Sequence, residues 1–142
     1  MAQVRRAGDA GEVDAALRLR ERVFSGEQGV RVEADRDGRD GEALHLVALH
    51  GGEVIGTCRL VFDGPVARLG RMAVERGLRG QGVGAALLVE AERCAREAGS
   101  RRIDLHAQTA AISLYARGGF EERGELFVEE GIAHVSMEKQ LA

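Results

Sequence analysis

The chain lacks the features that would send it to a membrane, a nucleic acid or an oxidising compartment. Its apolar runs are broken by charge within a few residues, so neither a secretory leader nor a membrane-crossing helix is expected. There is no basic tract: 20 lysines and arginines stand against 23 aspartates and glutamates, a formal charge of −3. Binding to nucleic acid or an anionic membrane therefore has no electrostatic support. Only two cysteines occur, Cys58 and Cys94, with no Cys-x-x-Cys between them. Both fall on apolar faces, as unpaired cysteines of a reducing compartment do, which points to the cytoplasm. Repeats, linkers, low-complexity segments and a metal-ligand spacing are all missing. What remains is 142 residues, 44% of them hydrophobic, enough for one core and too few for two ordinary domains, so residues 1–142 are expected to form one domain.

Glycine is concentrated where it matters most, in Arg79-Gly80-Gln81-Gly82-Val83-Gly84. Three glycines between a strand-like run and an amphipathic helix let several N–H groups converge on one anion, at the positive end of the helix that follows. In that helix Val83, Leu87, Ala91, Cys94, Ala95 and Ala98 share one face, and Gly99 ends it. Before the loop, Val66 to Val74 reads as a strand. Strand, glycine loop and helix together imply a nucleotide or coenzyme.

The rest of the pattern is mixed α/β. Val4 to Arg6 reads as a short edge strand, and Asp9 with Glu12 as a capping box opening a helix whose apolar face carries Ala16, Leu19, Val23 and Phe24. Glu33 to Glu42 is a loop with five carboxylates and two arginines. Such a run is usually a solvated surface, and a docking face for a cationic acceptor is the functional alternative. Leu44 to His50, Gly51-Gly52 and Val54 to Phe62 make a hairpin whose second strand buries Val54, Gly56, Cys58, Leu60 and Phe62 and exposes Thr57 and Arg59. Later come a strand at Arg102 to His106, a helix at Thr109 to Arg117, and strands at Phe120 to Val128 and His134 to Lys139.

Spacing separates three kinds of phosphate loop. A Walker loop fails, because Val83 and Gly84 stand where lysine and a hydroxyl are needed. A dinucleotide fingerprint is closer: Gly80-x-Gly82-x-x-Ala85 fits the relaxed pattern, with Asp104 about 20 residues on. Against it, residues 75–79 separate the strand from the first glycine, and Asp104 sits mid-strand. The third reading is a resemblance. Arg79-x-x-Gly82-x-Gly84 after Met72-Ala73-Val74 resembles the acetyl-coenzyme A pyrophosphate loop of the GNAT N-acetyltransferase superfamily. Leu114-Tyr115-Ala116-Arg117-Gly118-Gly119-Phe120 resembles that family's later helix and Gly-Phe signature, and Gln108 replaces its usual asparagine. Arg22-Val23-Phe24, Glu27-Gln28-Gly29-Val30, Leu105-His106-Ala107-Gln108 and Gly131 to Met137 look further like the ElaA-like branch. The likeness runs from about Val13 to Glu138.

The resemblance implies a GNAT fold, an α+β architecture with a mixed central sheet of six to seven strands and about four helices. It also implies acetyl-CoA as co-substrate, an amine of a small molecule or peptide as acceptor, direct attack in a ternary complex, and a homodimer through late strands as a candidate assembly. Met72, Ala73 and Val74 would run beside the pantetheine arm, with the Val74 N–H on the thioester carbonyl. Arg79, Gly80, Gln81, Gly82, Val83 and Gly84 would hold the pyrophosphate, with Arg76 adding charge, and Gln108 would assist. Tyr115, the only tyrosine, would protonate the departing thiolate. For the base that must take the ammonium proton, His106, Glu27 and Glu75 are candidates; for His106 and His134 a backbone-bonded structural role is the competing reading. A non-catalytic acyl-CoA-binding module is the alternative for the whole chain.

Overall fold

Apolar alternation builds the strands in the expected order, and the computed structural model describes residues 2–141. One mixed sheet of seven strands has the order β1-β2-β3-β4-β5-β7-β6. The strands are β1 (Gln3–Arg6), β2 (Leu44–His50), β3 (Glu53–Asp63), β4 (Val66–Val74), β5 (Arg102–Gln108), β6 (Glu121–Glu129) and β7 (Ile132–Gln140). The helices are α1 (Ala10–Arg20), the short α2 (Val32–Asp35), α3 (Val83–Glu97) and α4 (Ile112–Arg117), entered through a 3₁₀ turn at Thr109–Ala111. All neighbours pair antiparallel except β4 and β5.

Both faces of the sheet are covered. On the back, α3 packs Leu87, Ala91 and Cys94 against Leu46, Leu60, Leu69, Ile103 and Leu105. On the front, Ala16 of α1 meets Val47 and Leu49, and Leu19 with Val23 meets Ala73. This corrects the expectation of a half-solvated β3: Thr57 is 1% exposed and Arg59 6%. Thr57 is kept by donating its hydroxyl to the Leu46 carbonyl (2.7 Å), and Arg59 by carboxylates brought from afar. Period-2 patterning cannot see a polar residue buried by a partner remote in sequence.

The Asp9 cap forms, accepting from the Glu12 N–H at 2.9 Å. The reciprocal arm differs from a standard box: the Glu12 carboxylate takes the Gly8 N–H and both guanidinium arms of Arg5. At the other end α1 does not stop at Arg20 but loosens into π-helical turns over Glu21–Glu27. The Gln28 N–H reaches back to the Val23 carbonyl (3.2 Å), five residues earlier. Such wide turns are rare and usually local to a site; here they deliver Glu27 and Gln28 to the rim of the cleft described next.

Candidate functional site

The cleft is opened by one irregularity in β4. Thr57 pairs with Ala73 and Arg59 with Gly70, so Arg71 and Met72 together oppose Cys58. Arg71 takes a left-handed φ of 54°, uncommon for a side chain of this size. A bulge of this kind bends its strand, and the parallel ladder with β5 ends at Arg68↔Asp104 although both strands continue. Beyond that point β4 and β5 splay apart. The gap belongs to a cleft of about 410 Å³ lined by Met72, Leu105, His106, Gln108, Leu114 and Tyr115, among others.

Backbone polarity at the splay follows from strand geometry. The Glu75 N–H donates to the Ile55 carbonyl (2.8 Å), on the β3 side. Successive residues alternate, so the Val74 N–H and C=O face the open side. Arg79 Nε already donates to that carbonyl, at 2.9 Å.

Outside the cleft lining, tied to Val74 through Arg79 and to α4 through Gly84, lies the glycine loop. Gly80 and Gly82 have φ of 78° and 86°, and a Cβ on either would meet nothing within 4 Å, so an open cradle of backbone remains. Gly82 is the N-cap of α3 and supplies no side-chain cap, which leaves the first N–H groups of the helix to an external anion. Gly84 also serves packing: a Cβ there would lie 3.4 Å from Leu114 of α4. These features fit a bound pyrophosphate. Arg79 is held at the loop by the Glu27 carboxylate (2.8 Å), and that contact, ahead of the nearby Arg76, depresses the Glu27 pKa.

Tyr115 sits on α4 at 7% exposure, its ring set edge-on to Phe120 at 6.0 Å. Among the described residues its hydroxyl has no hydrogen-bond partner, and it lines the cleft. Burial pushes its pKa well up, so the phenol stays protonated throughout the neutral range. His106 is on β5, and its Nδ1 meets the Glu129 carboxylate at 2.8 Å. A carboxylate only accepts, so Nδ1 carries the proton, and in the neutral ring Nε2 is left with a free lone pair. Gln108 does not stand free: its amide is paired with that of Gln28, at 2.8 and 3.3 Å.

The Glu33 to Glu42 run is a solvated loop in part, with Glu33, Arg36, Asp37 and Glu42 exposed, but its aspartates are not a naked acidic face. Asp35, 3% exposed, binds buried Arg20 (3.2 Å) and Arg71 (3.1 Å). Asp40 bridges Arg20 (2.7 Å) and Arg59 (2.9 Å), and Asp37 takes Arg59 at 2.5 Å and Arg71 at 3.2 Å. Arg71 also donates to the Ala34 and Asp35 carbonyls. The acidic loop is thus the clamp that holds the bulged residue in its strained conformation. Asp37 is pushed well below the usual carboxylate range, first by its bond to Arg59.

The sequence-level site residues therefore divide. Tyr115, His106, Gln108 and Met72 come together on one cleft, while Glu27 is exposed, bonded to Arg79 and outside that lining. Glu75 is bonded to Arg22 at 2.8 Å. The dinucleotide reading loses its ribose ligand, because Asp104 is taken by Arg102 Nε at 2.6 Å. Glu129 was not anticipated. The signal for it lay in the Glu130-Gly131 turn, which sets Phe127 opposite His134 and Glu129 opposite Ile132 and so lets the Glu129 side chain reach His106 across β7. Both cysteines are buried and unpaired. Among the described residues no helix is long and apolar enough to cross a membrane, and no cluster could hold a metal.

Comparison with known proteins gives the same outline. The family model for the acetyltransferase (GNAT) domain matches residues 10–141. The uncharacterized N-acetyltransferase YjcF of Bacillus subtilis is 32% identical over 125 residues, 87% of this chain and 89% of YjcF. The crystal structure of Escherichia coli ElaA superposes with a TM-score of 0.87 at 26% identity, covering 99% of this chain and 100% of that one. An acyl-CoA N-acyltransferase from Pseudomonas aeruginosa superposes with a TM-score of 0.85 at 28% identity, over 98% and 99% of the two chains.

Proposed function

The chain belongs to the GNAT acetyltransferase family, and from that premise we propose that it moves an acetyl group from acetyl-CoA to a primary amine of a small molecule or peptide by direct attack in a ternary complex. Residues 1–142 act as one N-acetyltransferase domain in this reading. The observation that carries it is the splay of β4 from β5, with an unpaired Val74 N–H on one lip and the unbonded hydroxyl of Tyr115 in the same cleft.

Gly80, Gln81, Gly82, Val83 and Gly84 would hold the pyrophosphate with their N–H groups, and Met72 to Val74 would flank the pantetheine arm. When bound, acetyl-CoA supplies an activated acyl carbon with a thiolate as leaving group. The Val74 N–H is the donor for charge developing on the acyl oxygen, a contact typically worth about 3 kcal/mol in a transition state. Tyr115 holds its proton at Oη until the leaving sulfur needs it, and burial keeps it from being lost early. His106 Nε2, oriented through Nδ1 by Glu129, takes the ammonium proton of the incoming amine and passes it to solvent. The second proton shed by the nitrogen restores Tyr115. Glu27 steers Arg79 to the loop in this scheme, and its lowered pKa makes it the weaker base.

The test is a thermal-shift titration with acetyl-CoA, coenzyme A and NAD in parallel, followed by thiol release with an amine panel. The first two ligands should stabilise the protein, by about 2.7 kcal/mol at a hundredfold excess over Kd. Stabilisation by NAD alone, or by none of the three, would sink the reading. Stabilisation without any thiol release would favour an acyl-CoA-binding module instead.

A further inference from the structure

The front wall of the cleft carries a built patch that the chemistry above leaves largely unused. Register places Gln108 opposite His134 across β5 and β7, and Phe127 opposite His134 across β6 and β7. By alternation His106, His134, Phe127 and Glu129 share the face turned away from α3. The Phe127 ring stacks on His134 (5.8 Å, 20°) and takes His106 edge-on (5.0 Å, 77°). His134 is only 8% exposed, and its Nδ1 lies 2.7 Å from the Ile132 carbonyl. A carbonyl only accepts, so Nδ1 bears the proton, and in the neutral ring Nε2 presents a lone pair. Among the described residues that nitrogen has no partner, and His134 lines the cleft.

The charges around the patch narrow what can bind. Five carboxylates (Asp35, Asp37, Asp104, Glu129, Glu130) and four guanidiniums (Arg39, Arg59, Arg68, Arg71) line the cleft. Each of the four guanidiniums is already bonded to a carboxylate: Arg39 and Arg68 to Asp63, Arg59 to Asp37 and Asp40, Arg71 to Asp35 and Asp37. The wall thus offers lone pairs and an aromatic surface to a substrate, and no free cation for an anion.

We propose that this face is the acceptor subsite, and that it takes an alkyl or arylalkyl amine with no carboxylate beside the reacting nitrogen, His134 Nε2, backed by Phe127, accepting a hydrogen bond from the bound amine and the lining side chains of Phe24, Val30, Leu114 and Ile132 covering its apolar part. The inference rests on the transferase reading. An α-amino acid would bring its carboxylate to a wall that cannot pair it, and loses by the cost of desolvating that group.

Thiol release on matched pairs tests the class: phenethylamine against phenylalanine, tyramine against tyrosine, agmatine against arginine. The amine should lead in kcat/KM by about a hundredfold or more. Equal or faster turnover of the amino acids overturns the inference and leaves the transferase reading standing. No turnover of any amine, with acetyl-CoA still stabilising the protein, overturns both. His134→Asn keeps a donor near Nδ1 and removes the Nε2 lone pair, whereas His134→Gln returns an acceptor near Nε2. The Asn variant should raise the amine KM about tenfold, the scale of one hydrogen bond, with the acetyl-CoA KM unaltered, and the Gln variant should recover most of it. An unaltered amine KM in the Asn variant, or loss of acetyl-CoA stabilisation in both variants, assigns His134 to structure and overturns its role.

Discussion

The two ends of the candidate site are made of different materials. The phosphate end is backbone: glycines with positive φ, an uncapped helix start and a single guanidinium. The acceptor end is side chain: a strained Arg71 clamped by two aspartates, a histidine oriented by Glu129, and two amides facing each other. Backbone sites bind one chemical group regardless of the neighbours' identity, which suits a donor shared across a family. Side-chain sites are set by each residue, which suits an acceptor that differs from one member to the next.

If that contrast is right, one misplaced charge should cost the phosphate end most. Gly82→Asp places a carboxylate in the anion cradle and a Cβ on a residue with φ of 86°. Nothing lies within 4 Å of that Cβ, so the fold should survive while acetyl-CoA affinity falls by about 10³-fold or more. Calorimetric titration reads the loss, and retained affinity would show that the loop has another role.

At the acceptor end the same treatment should strike stability first. Arg20→Met leaves Asp40 with one partner and Asp35 with only its partly exposed ones, Asp35 being buried to 3%. Removing one member of such a network costs about 3–5 kcal/mol. Urea denaturation measures it, and a cost under about 1 kcal/mol would mean that the clamp is dispensable. Tyr115→Phe, which sits between the ends, should leave acetyl-CoA binding nearly intact and slow turnover by ~10²-fold, as one general acid does. Unaltered turnover would return the tyrosine to the core.

The contrast also explains what could be read without coordinates. The β4 strand, the glycine loop and the start of α3 are contiguous and periodic, so composition and spacing locate them to the residue. The bulge at Arg71, the π-helical turns at Glu21–Glu27 and the burial of Arg20 and Arg59 carry no local pattern. The bulge and the two buried arginines depend on partners 15 to 37 residues away, as with Arg20–Asp35 and Arg71–Ala34, and the π-helical turns pair with residues 52 and 53 away, at Arg79 and Glu75. The acidic run is the sharpest case. Its charges were visible in the sequence, and Arg36 and Arg39 inside the run reach Asp35 and Glu42, but the arginines that hold Asp35, Asp37 and Asp40 in place come from α1, β3 and β4.

The smallest effect should be the most diagnostic of that clamp. The Asp37 pKa is lowered, chiefly by its bond to Arg59. A carboxyl whose folded pKa is depressed contributes stability fully above its unfolded pKa, near 3.9, and loses it as pH falls through the folded value. Asp37→Asn should therefore cost about 1 kcal/mol at pH 7, since the pair is half-buried and partly screened. The gap between variant and wild type should narrow as the pH drops below about 4, where the wild type is protonating the same group. A series of urea melts from pH 7 to pH 3 would follow it. A gap that holds constant with pH would mean that Asp37 acts through its shape and hydrogen bonds alone, and that charge neutralisation is carried by Asp35 and Asp40.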